Sequence, residues 1–191
     1  MSDLTTASQG QLAPVGHRAI AAQEEQVFVT VYVEKQLFGI PVERVQDILI
    51  PEKIARIPLA PPEVAGSINL RGRIVTVIDV RTRLGLRKKP QPVGKDGAEI
   101  KTTKGKSGKG NVMCVTVEQG SELYSLMVDS VGNVLNLAVK SIEPNPSTLD
   151  PRWRGISAGV VRLEGELLIV LDVDSFLNFG DQMMPAGGSR N

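Results

Sequence analysis

From about residue 26 onward, apolar side chains fall at alternate positions. Val27, Val29, Val31 and Val33 interleave with Phe28, Thr30 and Tyr32, the period-two pattern of a strand with both faces in use. Further β-rich runs follow at 36–40, 45–50, 74–80, 112–117, 123–128, 131–137, 160–163 and 167–173, with short turn-forming stretches between them. Helical signals are few. The stretch 61–66 opens on Pro61-Pro62 and predicts one or two helical turns. Asp150-Pro151 and Gly155 bracket a second short helix with a cap, a proline at its first position and a terminating glycine. Residues 174–180 predict a closing helix. Strands dominate, so the class is all-β with minor helix.

The chain also repeats itself. Residues 66–84 lie over 159–177 at an offset of 93, with identities at the positions of Gly66, Leu70, Gly72, Val77, Asp79, Val80 and Leu84. Upstream, 37–49 lies over 123–135 and 29–31 over 115–117, both at an offset of 86. Each half then supplies about five strands, and a duplicated pair of small five-stranded barrels follows. Gly72 and its counterpart Gly165 stand where a hairpin turn needs a positive φ. Asp79 and Asp172 recur just after a run of strand residues. They are placed to cap a turn and not to act as bases, because neither has a second carboxylate at a fixed spacing. Arg71 lies over Glu164, so the turn itself does not demand an arginine. Residues 45–50 alternate poorly, which leaves a Val or Ile exposed beside Arg71 and Asp47 as an apolar centre with a polar rim.

Composition narrows the function. Lys and Arg number 22 against 21 Asp and Glu, so global charge points to neither nucleic acid nor anionic membrane. The one cysteine, Cys114, sits in an apolar run and is expected in the core; the one histidine, His17, lies in an N-terminal stretch without periodicity. Internal disulfides, cysteine-rich zinc sites and a Ser-His-Asp triad are thereby excluded, and no glycine-rich nucleotide loop is present. No cofactor or metal is expected. No window is apolar enough to span a bilayer and the first twenty residues lack a signal-peptide core, so a cytoplasmic address is expected. Residues 1–25 and 180–191 are expected to be disordered tails around one domain over 26–179. Between the halves, 87–110 carries eight Lys or Arg against two acidic residues and no apolar period, which predicts a flexible basic insertion. Its charge would attract phosphate or acidic lipid without specificity; the alternative is a solvated linker. Three classes remain open. An adaptor needs only two protein-binding surfaces. An OB-like nucleic-acid binder needs exposed aromatics on a basic face. An enzyme would have to work through unpaired carboxylates such as Asp79 and Asp172.

The order of motifs then matters. Phe38-Gly39-Ile40 with Val42, Val45 and Asp47-Ile48 comes first. Ile57-Pro58, Pro62 and Gly66 follow, and then Ile68-Asn69-Leu70-Arg71-Gly72 leading into Ile78-Asp79-Val80-Arg81. In the second half, Val128-Asp129, Val131, Val134, Ile142, Pro144 and the run Leu167 to Asp172 continue the series. Over about 26–179 this resembles the CheW-like family of bacterial chemotaxis coupling proteins. The resemblance implies two intertwined five-stranded barrels of OB-like topology with short helices. It also implies a non-catalytic adaptor between the cytoplasmic tip of chemoreceptors and the regulatory domain of the histidine kinase CheA. Such an adaptor serves flagellar chemotaxis or a pilus or other chemosensory pathway, and is recruited to membrane receptor arrays without inserting into the bilayer. By position, Val45, Asp47, Gly66 and Arg71 match partner-binding positions of the family, Asp47 standing where glutamate is usual. Val112 and Val134 are further candidates for the wall of a helix-binding groove. Ser125 replaces a glycine expected opposite Gly39. The pattern brings Arg71 and Asp47 onto neighbouring elements, leaving open whether Arg71 meets a partner or an internal carboxylate.

Overall fold

The computed structural model describes residues 24–86, the backbone of 99–101, and residues 112–179. The expectations for His17, for the terminal tails and for most of the basic insertion fall outside the described residues. In chain order the strands are β1 Glu25–Val33, β2 Gln36–Pro41, β3 Val45–Leu49, β4 Lys53–Ala55, β5 Val64–Leu70 and β6 Arg73–Asp79. They continue with β7 Glu99–Lys101, β8 Met113–Gln119, β9 Glu122–Val128, β10 Ser130–Ala138, β11 Ser157–Arg162 and β12 Leu167–Leu171. Three short helices accompany them: α1 Val80–Arg83, α2 Pro151–Arg154 and α3 Val173–Leu177.

Two sheets form, with strand orders β10-β1-β2-β12-β11 and β3-β8-β9-β6-β5-β4-β7. The repeat explains both. Under its two offsets β10, β1, β2, β12 and β11 correspond to β3, β8, β9, β6 and β5, so the first order reproduces the first five strands of the second. Each sheet takes strands from both halves. The halves are joined by the parallel pairs β2 with β12 and β6 with β9 and by the antiparallel pairs β1 with β10 and β3 with β8, whereas neighbours within a half pair antiparallel. The halves are therefore intertwined.

Alternation along the central strands is what holds the two sheets together. Val31, Val33, Phe38, Ile40, Ile169 and Leu171 of one sheet meet Ile78, Val115, Val117, Leu126 and Val128 of the other in a shared core. The opposite face of the same strands feeds a second cluster in each sheet. Phe28, Leu37, Leu168 and Val170 lie in one, and Val75, Val77, Cys114 and Met127 in the other. A strand buried on both faces needs apolar residues at consecutive positions, which accounts for the unbroken runs in the sequence. Cys114 is fully buried, and burial raises its thiol pKa to about 11, so it is inert core as expected.

The caps read from sequence are in place. Asp79 accepts from the Thr82 N–H (3.2 Å) and hydroxyl (2.9 Å), and Asp172 accepts from the same groups of Ser175 (3.1 and 2.9 Å). Asp150 caps α2 with Pro151 at its first position, while the closing helix starts one residue earlier than predicted, at Val173. Two expectations fail. Residues 61–66 are not helical: a turn closed by Val64 N–H to Pro61 O (2.9 Å) delivers Val64 straight into β5, because that segment is claimed by pairing with β6. The second sheet also has seven strands and not five. Within 87–110, expected as a flexible basic insertion, β7 pairs with β4; three residues carry no period, so neither strand is legible in the sequence.

Candidate functional site

The β5–β6 hairpin turns through two residues, with Leu70 paired to Arg73 and both Arg71 (φ 51°) and Gly72 (φ 86°) left-handed. That is the primed turn whose twist matches the flanking strands. Asn69 Oδ1 accepts from the Gly72 N–H at 2.8 Å and fixes the turn, so Arg71 is held outward at its apex with its side chain 82% exposed. Arg71 Nη2 donates to Asp47 Oδ2 at 3.0 Å, and Asp47 Oδ1 accepts from the Ile48 N–H at 2.9 Å. Asp47 lies on β3, the edge strand of the same sheet, and β8 and β9 lie between β3 and β6 in the strand order. The ion pair thus joins parts of the sheet that are not hydrogen-bonded neighbours.

Exposed apolar residues adjoin the two partners along the chain. Ile48 and Ile50 on and just after β3 are each 40% exposed, and Ile74, beside Arg73 on β6, is 75% exposed. Poor alternation over 45–50 predicts an exposed isoleucine beside Asp47; Ile74 carries no such signal, because in sequence it continues a buried strand. Val45, two residues before Asp47, is half-buried against the shared core. Val112 is half-buried too, at the far end of the β3–β8 pair, where Leu49 faces Cys114. Val134 is 61% exposed but lies on β10, opposite Val29 in the other sheet, at the position equivalent to Ile48. The six candidate residues therefore do not form one patch.

Gly66 lies within the packing of the sheet. It is buried at φ 150°, and a Cβ there would stand 2.2 Å from Ala55 O on β4. Its counterpart Gly159, at φ 158°, has the same relation to Glu143 O at 2.7 Å. The missing side chain lets the two backbones approach closely here.

The duplication supplies an internal control. The β11–β12 turn recurs at the equivalent position, with Gly165 at φ 83° and Leu163 N–H bonded to Glu166 O at 2.9 Å, but Glu164 is not left-handed as Arg71 is. Glu164 replaces Arg71 there and Asn133 replaces Asp47. The fold needs the turn twice and furnishes it with an Arg–Asp pair once. Among the described residues no three His, Cys, Asp or Glu side chains gather to hold a metal, and no helix is long and apolar enough to cross a membrane. None of the seven aromatic residues is exposed; Trp153, for example, donates to Leu84 O at 3.1 Å and packs edge-on against Phe38. A base-stacking platform is therefore absent from the described residues.

Comparison with known proteins agrees. The model of the CheW-like domain family matches residues 27–180. The chemotaxis protein CheW of Rhizobium meliloti (strain 1021) is 27% identical over 118 residues, 62% of this chain and 65% of that protein, just under two thirds of its length. That of Klebsiella aerogenes is 26% identical over 153 residues, 80% of this chain and 82% of the relative. The crystal structure of the scaffolding protein TtCheW from Thermoanaerobacter tengcongensis superposes with a TM-score of 0.66 at 26% identity, covering 84% of this chain and 99% of that one.

Proposed function

The chain belongs to the CheW-like domain family of non-catalytic chemotaxis scaffolds, and on that premise we propose that it couples the cytoplasmic tip of a chemoreceptor to the regulatory domain of the kinase CheA. In this reading Arg71 and Asp47 form the charged edge of a docking surface whose apolar part is Ile48 and Ile74, with Val45 behind it in the core. Val134 offers an apolar contact on the other sheet, Val112 closes the far end of β3, and Gly66 holds the backbone beneath the hairpin. The protein would join membrane receptor arrays through these contacts.

The observation that carries the reading is the asymmetry between the two turns. A left-handed arginine, exposed at the apex and steered by one carboxylate, has no counterpart where the same fold repeats. Exposed apolar groups beside a fixed charge are what recognition of an amphipathic helix requires, the apolar part supplying affinity and the charge supplying register. The test is Arg71→Glu in a reconstituted mixture of receptor, kinase and this protein. Because the pair is solvent-exposed, stability should fall by less than about 1 kcal/mol, while receptor-dependent kinase activation should be largely lost. Undiminished activation would rule out the role given to Arg71.

A further inference from the structure

The duplication creates two equivalent seams where a turn of one half meets a short helix of the other. At the first, Arg44, in the 3₁₀ turn Val42–Arg44, forms a two-pronged pair with Asp174 of α3. Nη2 lies 2.6 Å from Oδ1 and Nη1 3.0 Å from Oδ2, and Nε donates to Glu118 O at 3.2 Å. At the second, Asp129, in the turn after β9, receives Arg81 of α1, whose Nε lies 2.9 and 3.0 Å from its two oxygens and whose Nη2 also bonds it. Asp129 further accepts the Glu34 N–H at 2.6 Å, and Arg81 reaches Glu34 Oε1 at 3.0 Å.

The repeat offsets place Asp174 over Arg81, and Asp129-Ser130 over Glu43-Arg44. Between the seams the charges change places from turn to helix, yet they do not change halves. At both, the first half gives the arginine and the second half the aspartate. Backbone symmetry does not require this; the helix position carries opposite signs in its two copies. Electrostatics therefore favours a first half against a second. Two second halves joined the same way would set Asp129 against Asp174, with Ser130 in the place of Arg44. Two first halves would bring Arg44 and Arg81 together, with Glu43 and Glu34 as the acids beside them. A dimer made by exchange of like halves needs both unions. Mispairing is most costly at the second seam, where the Arg81 and Asp129 side chains are 15% and 16% exposed. Arg44 and Asp174, at 30% and 59%, are better screened.

We propose that these four charges are a pairing code that selects opposite halves as partners when the sheets assemble, and that changing the code redirects assembly from one chain to two complementary copies of this chain. One full-length variant, Arg44→Asp with Arg81→Asp, makes both halves acidic at the seams. A second, Asp129→Arg with Asp174→Arg, makes both basic. Each alone should melt lower than the natural chain by roughly 5 °C or more. Unfolded together and refolded as a mixture, they should yield a 1:1 heterodimer by native mass spectrometry, each half of one chain completing the opposite half of the other. All four substitutions in a single chain should restore a monomer that melts above either two-fold variant, which separates the code from the loss of the bonds to Glu118 and Glu34. Monomeric variants that melt with the natural chain, a refolded mixture without heterodimer, or a four-fold variant no more stable than its parents would each overturn the proposal.

Discussion

At the scale of single residues, some roles are set by neighbours along the chain and others by groups that the fold brings close. Asp79 and Asp172 could be assigned to caps because their partners lie three residues away. Gly72 was legible from the turn it makes. Gly66 was not: the reason for it is the Ala55 carbonyl on another strand, and only the structure brings that carbonyl within 2.2 Å of a would-be Cβ. The two glycines therefore respond differently to alanine. Gly72→Ala meets nothing within 4 Å and bears only the left-handed backbone, a cost of about 1–2 kcal/mol. Gly66→Ala adds a backbone collision and should cost roughly 3 kcal/mol or more. Urea unfolding of the two variants decides the matter, and equal losses would contradict the assignment of Gly66 to close packing.

Elements were legible in proportion to their length and to how far burial alone dictates them. The nine β-rich runs appear as strands within a few residues of their expected limits, and in the central ones two-sided burial writes apolar residues at consecutive positions. β4 and β7 have three residues each, too few for a period, and the proline-led stretch before β5 carries a helix signal that strand pairing overrides. Helix α2 was readable from its cap, and that cap makes a prediction about acid. Hydrogen bonds from the Arg152 side chain and backbone N–H hold the Asp150 carboxyl below its ordinary 3.8, at about 2. The Arg44 guanidinium lowers Asp174 in the same direction. A depressed carboxylate pKa adds stability that is fully present above the unfolded value and lost as pH falls through the folded one. For Asp150 that window runs from about pH 4 down to about 2. Thermal melts of the natural chain and of Asp150→Asn should differ at pH 5 and converge toward pH 2; a constant difference across that range would contradict the cap's ionic character.

For the molecule as a whole, duplication was readable as two offsets, and a pair of sheets followed from it. The exchange of strands between halves was not readable from periodicity, because each strand's apolar pattern fits either neighbour; it entered through the family resemblance. The shared core then shows why the halves are inseparable, since Phe38 and Val31 of the first half pack with Ile169 and Phe176 of the second. The candidate site was half legible. Sequence supplied Arg71 and Asp47 and the kind of residue beside them, whereas Val134 proved to be on the other sheet because equivalence under the repeat is not adjacency. In the proposed function a partner recognises Arg71 at the hairpin apex, beyond its pairing with Asp47. Arg71→Asp combined with Asp47→Arg separates the two, since it restores an internal ion pair with the charges exchanged. Receptor-dependent kinase activation, measured in the reconstituted complex alongside the melting temperature, is the direct test. The exchanged pair should leave the melting temperature close to that of the natural chain with activation still lost; recovery of activation would show that the pair serves the fold alone.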